Sequence, residues 1–595
     1  MGEYLNSVSV LQLMYCCIAL WMWALTTLMS KRYFKGYHNL KRYYVFSAIT
    51  LVGTLGVFLA KDLATLFMFF EWMSLASYLL VAHDEKKETM RAAQTYLFVA
   101  VAGGLVLLMG IMLFYNAAGT LILSEMREAV RNVEPGRKKE ILAAGICMLI
   151  GFGAKAGLFP LHIWLPKAHP VAPAPASAIL SGMLTKTGIY GILLVSTRLF
   201  YHDAQWGVML VILGVVTMLV GAVPALFSNN LKKTLACSSV SQIGFISIGM
   251  GMIHMLGHEN TLAVKGTVMH MINHSMLKLV LFMSAGVVFM NIHKLDINDI
   301  RGFGRKKPLL KLAFFSGAAG LGGIPLWNGY ASKTLLHESI VEYMEHGNWL
   351  MFGENFWHVC EWLFLIAGGL TVAYMSKFFV AVFVEKHPVR QAEFDEKYSN
   401  YGDIRTKIAL ILSTACILVF GFLPGFTLDK LGAASGSFAE PAFTDHVVHY
   451  FSWVNIKGAI ISIGIGAVVY VVIVRFLLIK KLDGGITVYR DVWPKWMDLE
   501  DSIYRPLLRF LYGAAALVMN AFDKVTDLIF FIFYKTTHRP YYYRGYHPRK
   551  KKKGVLRQYL KITEVSHSSL AFGMLMMCAC ILVIIIFLYY RIVLG

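Results

Sequence analysis

Residues 151–169 read GFGAKAGLFPLHIWLPKAH. The first part is apolar and glycine-rich, as a bilayer-crossing helix is. It nevertheless carries Lys155, breaks at Gly157 and Pro160, and continues with His162 and His169. An ionisable side chain at mid-bilayer costs roughly 2.5–3.5 kcal/mol on insertion scales. Irregular backbone at that depth survives only where it is buried in protein or lines a cavity. An interrupted helix that makes a polar pocket around an ammonium group satisfies both constraints, and transporter sites are built this way.

The rest of the chain supplies the bundle that such a pocket needs. Of 595 residues, 57% are hydrophobic and the mean hydropathy is +0.58, against about 45–50% apolar residues in soluble proteins. Apolar runs at 8–30, 43–60, 63–82, 93–115, 141–164, 174–198, 206–228, 234–255, 264–290, 309–344, 360–384, 407–428, 455–479 and 569–591 have the length needed to cross ~30 Å of hydrocarbon. The fold class is therefore an all-α polytopic membrane protein with about fourteen transmembrane helices. Two of these, 141–164 and 309–344, are discontinuous.

Net charge is +21, but the basic residues lie in loops between apolar runs, so nucleic acid is not the implied partner; the lipid bilayer is. With the N-terminus outside, the segments 31–42, 83–92, 165–173, 229–233, 291–308, 385–406 and 480–568, nearly all basic, face the cytoplasm, whereas 345–359 and 429–454 are acidic or poor in Lys and Arg and only the outer loop 116–140 departs, with mixed charge. This is the positive-inside pattern. The first run has no basic residue before it and reads as an ordinary span, not as a cleavable signal. Eight cysteines without a Cys-x-x-Cys pair give no iron–sulfur or zinc framework.

Residues 497–535 are apolar but interspersed with Asp498, Glu500, Asp501, Arg505, Arg509, Asp523, Lys524 and Asp527. They read as an amphipathic lateral helix on the cytoplasmic face, about 39 residues and nearly 60 Å if unbroken. The expected organisation is an N-terminal span and basic loop (1–42), a core (43–430), an additional span and linker (431–496), the lateral helix (497–535), a basic linker (536–568) and an anchor helix (569–595).

Ionisable residues deep in the spans are functional candidates by default. Glu71 is central in LATLFMFFEWMSLASYLLVA, and Lys186 is central in ASAILSGMLTKTGIYGILLVS. HMINHSMLK places His270, His274 and Lys278 at i, i+4 and i+8, a narrow stripe on one helical face that can hand on protons with water. A metal site is disfavoured, because Met271 stands where a zinc-protease helix needs Glu. Lys333 and His337 follow a second break, GLGGIPLWNGYASKTLLHES. Paired interruptions point to inverted repeats with midplane sites. The ion-translocation candidates are Glu71, Lys155, Lys186, His270, His274, Lys278 and Lys333. Secondary candidates are His162, His169, His337 and Lys377, the last near a span end where lysines snorkel. His254 and His258, near the outer interface, are weaker. Gly464 and Gly466 read as helix packing.

FFEWMSLASYLLV (69–81), GFGAKAGLFPLHIWLPKAHPVAPAPASAIL (151–180), NNLKKTLACSSVSQIGFI (229–246), HMINHSMLKLVLFMSAG (270–286), DINDIRGFG (296–304) and GGIPLWNGYASK (322–333) occur in that order. Together they resemble the antiporter-like subunits of respiratory complex I (the NuoL and NuoM type), Mrp sodium/proton antiporters, and membrane-bound nickel–iron hydrogenases including hydrogenase-4 and formate hydrogenlyase. The lateral helix and anchor resemble the distal, NuoL-like member.

The resemblance implies that Glu71 and Lys155 form a coupled pair. Lys186 then holds the place of a central lysine, His270, His274 and Lys278 form the central relay, and Lys333 marks the second broken helix. Ions would enter near the His/Lys stripe and leave outward near Lys333. The implied function is H⁺ or Na⁺ translocation in the cell membrane, within a redox-driven complex of the membrane-bound hydrogenase kind. The alternatives are a component of an Mrp-type antiporter or the distal member of an NADH:quinone oxidoreductase. No redox chemistry or cofactor is expected in this chain. Iron–sulfur clusters, with a nickel–iron centre or flavin, would belong to partner subunits: a peripheral redox arm and other membrane subunits, including an antiporter-like one touched by the lateral helix. The chain departs from the family pattern in having about two spans before Glu71 instead of four, in Cys237 where Tyr is common, and in Thr334 where an acid often follows the lysine.

Overall fold

The computed structural model describes residues 8–345, 352–439, 448–481 and 486–494, together with scattered positions from 498 to 517. Among the described residues twelve helices are long and apolar enough to cross a membrane. They are α1 (Val10–Tyr33), α2 (Leu40–Leu59), α3 (Leu63–Val81), α4 (Lys87–Ala118), the interrupted Pro135–Val171, α7 (Ala174–Leu199), α8 (Ala204–Phe227), α9 (Leu231–Met255), α10 (Thr261–Ile292), α13 (Glu354–Phe383), α14 (Ile404–Phe422) and α16 (Trp453–Leu478). The interrupted span contains α5 (Lys138–Ala156) and α6 (Trp164–Val171). A further broken segment, α11 (Pro308–Gly322) and α12 (Asn328–Glu345), matches the expected discontinuous run at 309–344. The anchor helix expected at 569–591, the linker at 536–568 and most of the lateral helix lie outside the described residues. Trp493–Met577 is a unit apart from Met1–Val492, and its described part includes a helical turn at Glu500–Tyr504.

Helix starts follow the cap chemistry in the sequence. Asp62, Asp203, Asn230 and Asp403 each accept a backbone N–H of the first turn, which satisfies donors that a helix start leaves free. Between α8 and α9, Gly214, Gly221, Gly244 and Gly251 bring the backbones so close that an added Cβ would lie within 3 Å of the facing chain. With lipid on the outside, such close packing replaces the hydrophobic drive as the source of helix association. Gly466 of α16 packs in the same manner on Gly369 of α13, whereas Gly464 meets nothing within 4 Å. Leu20, Val52, Met109, Trp362 and Val472 remain exposed around the outside, as a lipid-facing surface requires.

The connections gather on two opposite faces. On one, residues 229–231 pair with 295–297, and Gly302 and Gly304 bond the end of α13. Arg301 and Arg475 both pair with Glu385, and Arg42 pairs with Glu85. This is the face on which the basic loops were expected. A two-stranded antiparallel hairpin, Ile479–Lys481 with Thr487–Tyr489, joins it and fixes Asn298 through the Tyr489 backbone. On the other face, Leu63 bonds Leu121 and the rings of His202 and His258 lie 4.5 Å apart. The expected loop 429–454 contains a helix, α15 (Leu428–Ala439), with one buried side.

Candidate functional site

The break after Lys155 is set by Gly157, which closes α5 in the left-handed region at φ 88°. Only glycine reaches that region without steric cost. Gly323 does the same after α11 at φ 74°. One lysine stands just before the first break and another just after the second.

Lys155 is buried. Its Nζ donates to Tyr96 Oη at 2.6 Å and to Ser74 Oγ at 3.0 Å, and Tyr96 in turn contacts Ser77 Oγ at 2.5 Å. Ser74 is one helical turn from Glu71 on α3, so the acid and the lysine share one polar cluster without a direct ion pair. Glu71 is buried with Oε1 free of hydrogen bonds, and it lies against Gly104, where a Cβ would overlap that oxygen. The two residues expected to form a coupled pair are thus not bonded to each other: the hydroxyls of Tyr96 and Ser74 take the ammonium of Lys155. Tyr96, Ser74 and Ser77 were not singled out, because hydroxyls inside an apolar helix carry no pattern of their own.

Lys186 follows a wide helical turn at Leu180–Leu184. Its Nζ reaches the Ser181 carbonyl at 3.0 Å, Thr185 Oγ1 at 3.2 Å and His274 Nδ1 at 2.7 Å. The α10 stripe therefore has three different partners. His274 serves the first half of the bundle through Lys186. His270 contacts Ser332 Oγ at 2.9 Å and Gln242 Oε1 at 3.1 Å, and Ser332 adjoins Lys333 on α12. Lys278 reaches the Leu235 carbonyl at 2.8 Å and Ser238 Oγ at 2.5 Å on α9. Asn273 and Asn328 bond side chain to side chain at 2.9 Å, joining α10 to the second break.

Lys333 donates to the Leu321 carbonyl at 2.8 Å, one of the carbonyls left free by the broken helix, and lies 4.6 Å from the Phe245 ring centre. It borders a cavity of about 30 Å³ with Tyr330, His337 and Ser462, room for a water molecule. His162, at the first break, stacks on Phe159. His169 is buried against Phe282, and neither of its ring nitrogens has a partner. Lys377 does not snorkel: it is buried and donates to the carbonyls of Leu226 at 2.6 Å and Ser228 at 2.7 Å, capping the end of α8. Among the described residues no group of three or more His, Cys, Asp or Glu is placed to hold a metal ion.

The family model described as NADH:quinone oxidoreductase/Mrp antiporter, transmembrane, matches residues 60–355. The D component of the Na(+)/H(+) antiporter of Alkalihalophilus pseudofirmus is 30% identical over 387 residues, covering 64% of this chain and 73% of that protein. The chain belongs to this family. Hydrogenase-4 component B of Escherichia coli is 29% identical over 434 residues, covering 70% of this chain and 60% of that protein. The structure of the Mrp complex from Dietzia sp. DQ12-45-1b contains a chain of the same fold, with a TM-score of 0.70 at 24% identity, covering 94% of this chain and 58% of that one. The chain thus spans about three fifths of the length of hydrogenase-4 component B and of the Mrp chain. All seven principal candidates, Glu71 to Lys333, fall inside the matched segment 60–355.

Proposed function

We propose that this chain is the ion-translocating membrane subunit of a multisubunit redox-driven complex of the hydrogenase-4 kind, in the cell membrane, with its basic face towards the cytoplasm. The observation that carries the reading is the placement of buried titratable groups around both helix breaks and on the helix between them. His274 meets Lys186 in one half, while His270 meets Ser332 beside Lys333 in the other. Ions enter near Lys278, pass by Lys186 and the two histidines, and leave past Lys333. Glu71 and Lys155 gate this path: bringing the two charges together to ~4 Å at an effective dielectric of ~20 would be worth about 4 kcal/mol before desolvation. The residues 43–430 act as two inverted repeats. Electrons pass only through partner subunits, whose peripheral arm holds iron–sulfur clusters with a nickel–iron centre or flavin, and the lateral helix rests on a neighbouring antiporter-like subunit.

A second reading, a component of a sodium/proton antiporter without electron transfer, is favoured by the coverage of the Alkalihalophilus pseudofirmus antiporter component. Purification of the assembled complex separates the two, since co-purifying iron–sulfur subunits support the first and their absence the second. Reconstituted into liposomes, Lys155→Ala and Lys333→Ala complexes are expected to lose ion transport while remaining assembled. Undiminished transport in both would refute the assignment of the path.

A further inference from the structure

The path past Lys333 continues as a row of histidines and carboxylates between α12 and α13. His337, one turn beyond Lys333 on α12, borders the same cavity. Its two ring nitrogens are each taken by a carboxylate: Nδ1 lies 3.2 Å from Glu338 Oε1, and Nε2 lies 3.1 Å from Glu361 Oε1 on α13. Glu361 Oε2 lies 3.7 Å from His358 Nδ1, and His358 Nε2 lies 3.5 Å from Glu354 Oε1. Exposure rises step by step along the row, from 12% at His337 and 20% at Glu361 to 50% at His358 and 64% at Glu354. The row starts at a buried ammonium and ends in the open, on the face opposite the basic loops.

The remaining wall is supplied by α16, whose Asn455, Gly458 and Ser462 line the cavity and whose Lys457 is exposed. Glu342 and Glu345 lie farther along α12, and α9 offers the Phe245 ring beneath Lys333. His358 and Glu361 lie beyond the family-matched segment 60–355, so the family match does not single them out.

The geometry points to the His337–Glu361–His358–Glu354 row as the outer half-path of this subunit, and to a proton as the ion that uses it. An imidazole held between two carboxylates takes a proton on one ring nitrogen and gives one up from the other. Lys333 loses a proton to the cavity and becomes neutral. His337 accepts that proton and passes one to Glu361, which passes it through His358 to the exposed Glu354. One positive charge moves outward and no electron is transferred. A bare alkali cation needs a shell of oxygens, whereas these carboxylate oxygens already face imidazole nitrogens.

The inference rests on the ion-path reading above, and the test separates the two. The assembled complex in liposomes, carrying Glu361→Gln, Glu361→Asp, His337→Gln or Lys333→Ala, is assayed for proton movement and for sodium-22 movement. Glu361→Gln and His337→Gln are expected to lower proton transport at least tenfold. Glu361→Asp is expected to restore most of it and to shift its dependence on the pH at the Glu354 face. If Lys333→Ala abolishes transport while Glu361→Gln and His337→Gln leave it intact, the row is not the outlet and the reading survives. If Lys333→Ala also transports normally, both fall. Sodium-22 movement abolished by Glu361→Gln would overturn the choice of ion. Should a variant fail to assemble, His358→Gln, at the half-exposed end of the row, serves instead. It is expected to lower proton transport at least tenfold, and unchanged transport overturns the route.

Discussion

Tyr96 and Ser74 show how much of a membrane charge is set by neighbours with no charge of their own. With both hydroxyls on its Nζ, Lys155 is held at a fixed point beside Glu71. Tyr96→Phe removes the 2.6 Å bond without changing ring packing on Trp164. It should slow transport severalfold and leave assembly intact, whereas Lys155→Ala should abolish transport; equal transport rates in wild type and Tyr96→Phe would show that the hydroxyl does not position the ammonium. Gly104 gives the complementary prediction. A methyl there would overlap Glu71 Oε1, so Gly104→Ala should displace the carboxylate, destabilise by about 1–3 kcal/mol and reduce transport, as read from melting temperature and flux on the same preparation. The lysines and histidines themselves were legible in the sequence, because an ionisable group in a long apolar run is costly and stands out. The hydroxyls were not, because Ser and Tyr are ordinary in such helices.

At the scale of elements, the two interruptions share one device. A glycine in the left-handed region ends the first half-helix, and polar side chains close over the gap. At the second break Gly329 lies so close to Gly320 that an added Cβ would overlap its carbonyl oxygen. Gly329→Ala should therefore cost ~3 kcal/mol and unseat Lys333, so that a normal melting temperature together with normal transport would refute the packing described. α15 performs a task no periodicity announced. It brings Asp429 to the fully buried Lys265 at 2.6 Å, and Tyr450 donates to the same carboxylate at 2.5 Å. Asp429→Asn should lower stability by about 1.5–3 kcal/mol, measurable by thermal aggregation of the detergent-solubilised complex. Lys307, just before α11, shows the same economy in a loop. It donates to the carbonyls of Phe303 and Phe394, and burial pushes its ammonium down from the ordinary 10.5 to about 8. The folded chain therefore binds fewer protons than the unfolded one across this window, so this contribution to stability grows as pH rises from 8 to 10.5 and is lost as pH falls through 8. Lys307→Met should flatten that part of the melting-temperature profile; a slope equal to that of wild type would count against it.

For the whole molecule, the basic loops mesh on one face through Arg301, Glu385 and the hairpin, while the acidic row from His337 to Glu354 opens on the other. Cysteines placed at Lys386 and at Glu354 should react with impermeant reagents from opposite sides of the membrane, and reaction of both from one side would end the proposed topology. The sequence by itself determined the class of the molecule, the positions of the breaks and of the spans among the described residues, and the charged residues worth watching. These are properties of runs along the chain, fixed by hydrocarbon thickness, by the cost of burying charge and by the conformations open to glycine and proline. Tertiary structure alone decided which group meets which. The single stripe on α10 serves Lys186, Ser332 and Ser238 on three different helices, Lys377 caps α8 instead of reaching for water, and Lys265 finds its counter-charge on a helix that begins more than 150 residues away. Periodicity gives the direction of a side chain about its own helix axis, but hydrogen bonds of about 3 Å depend on the rotation and depth of the neighbouring helices, which packing across the bundle fixes.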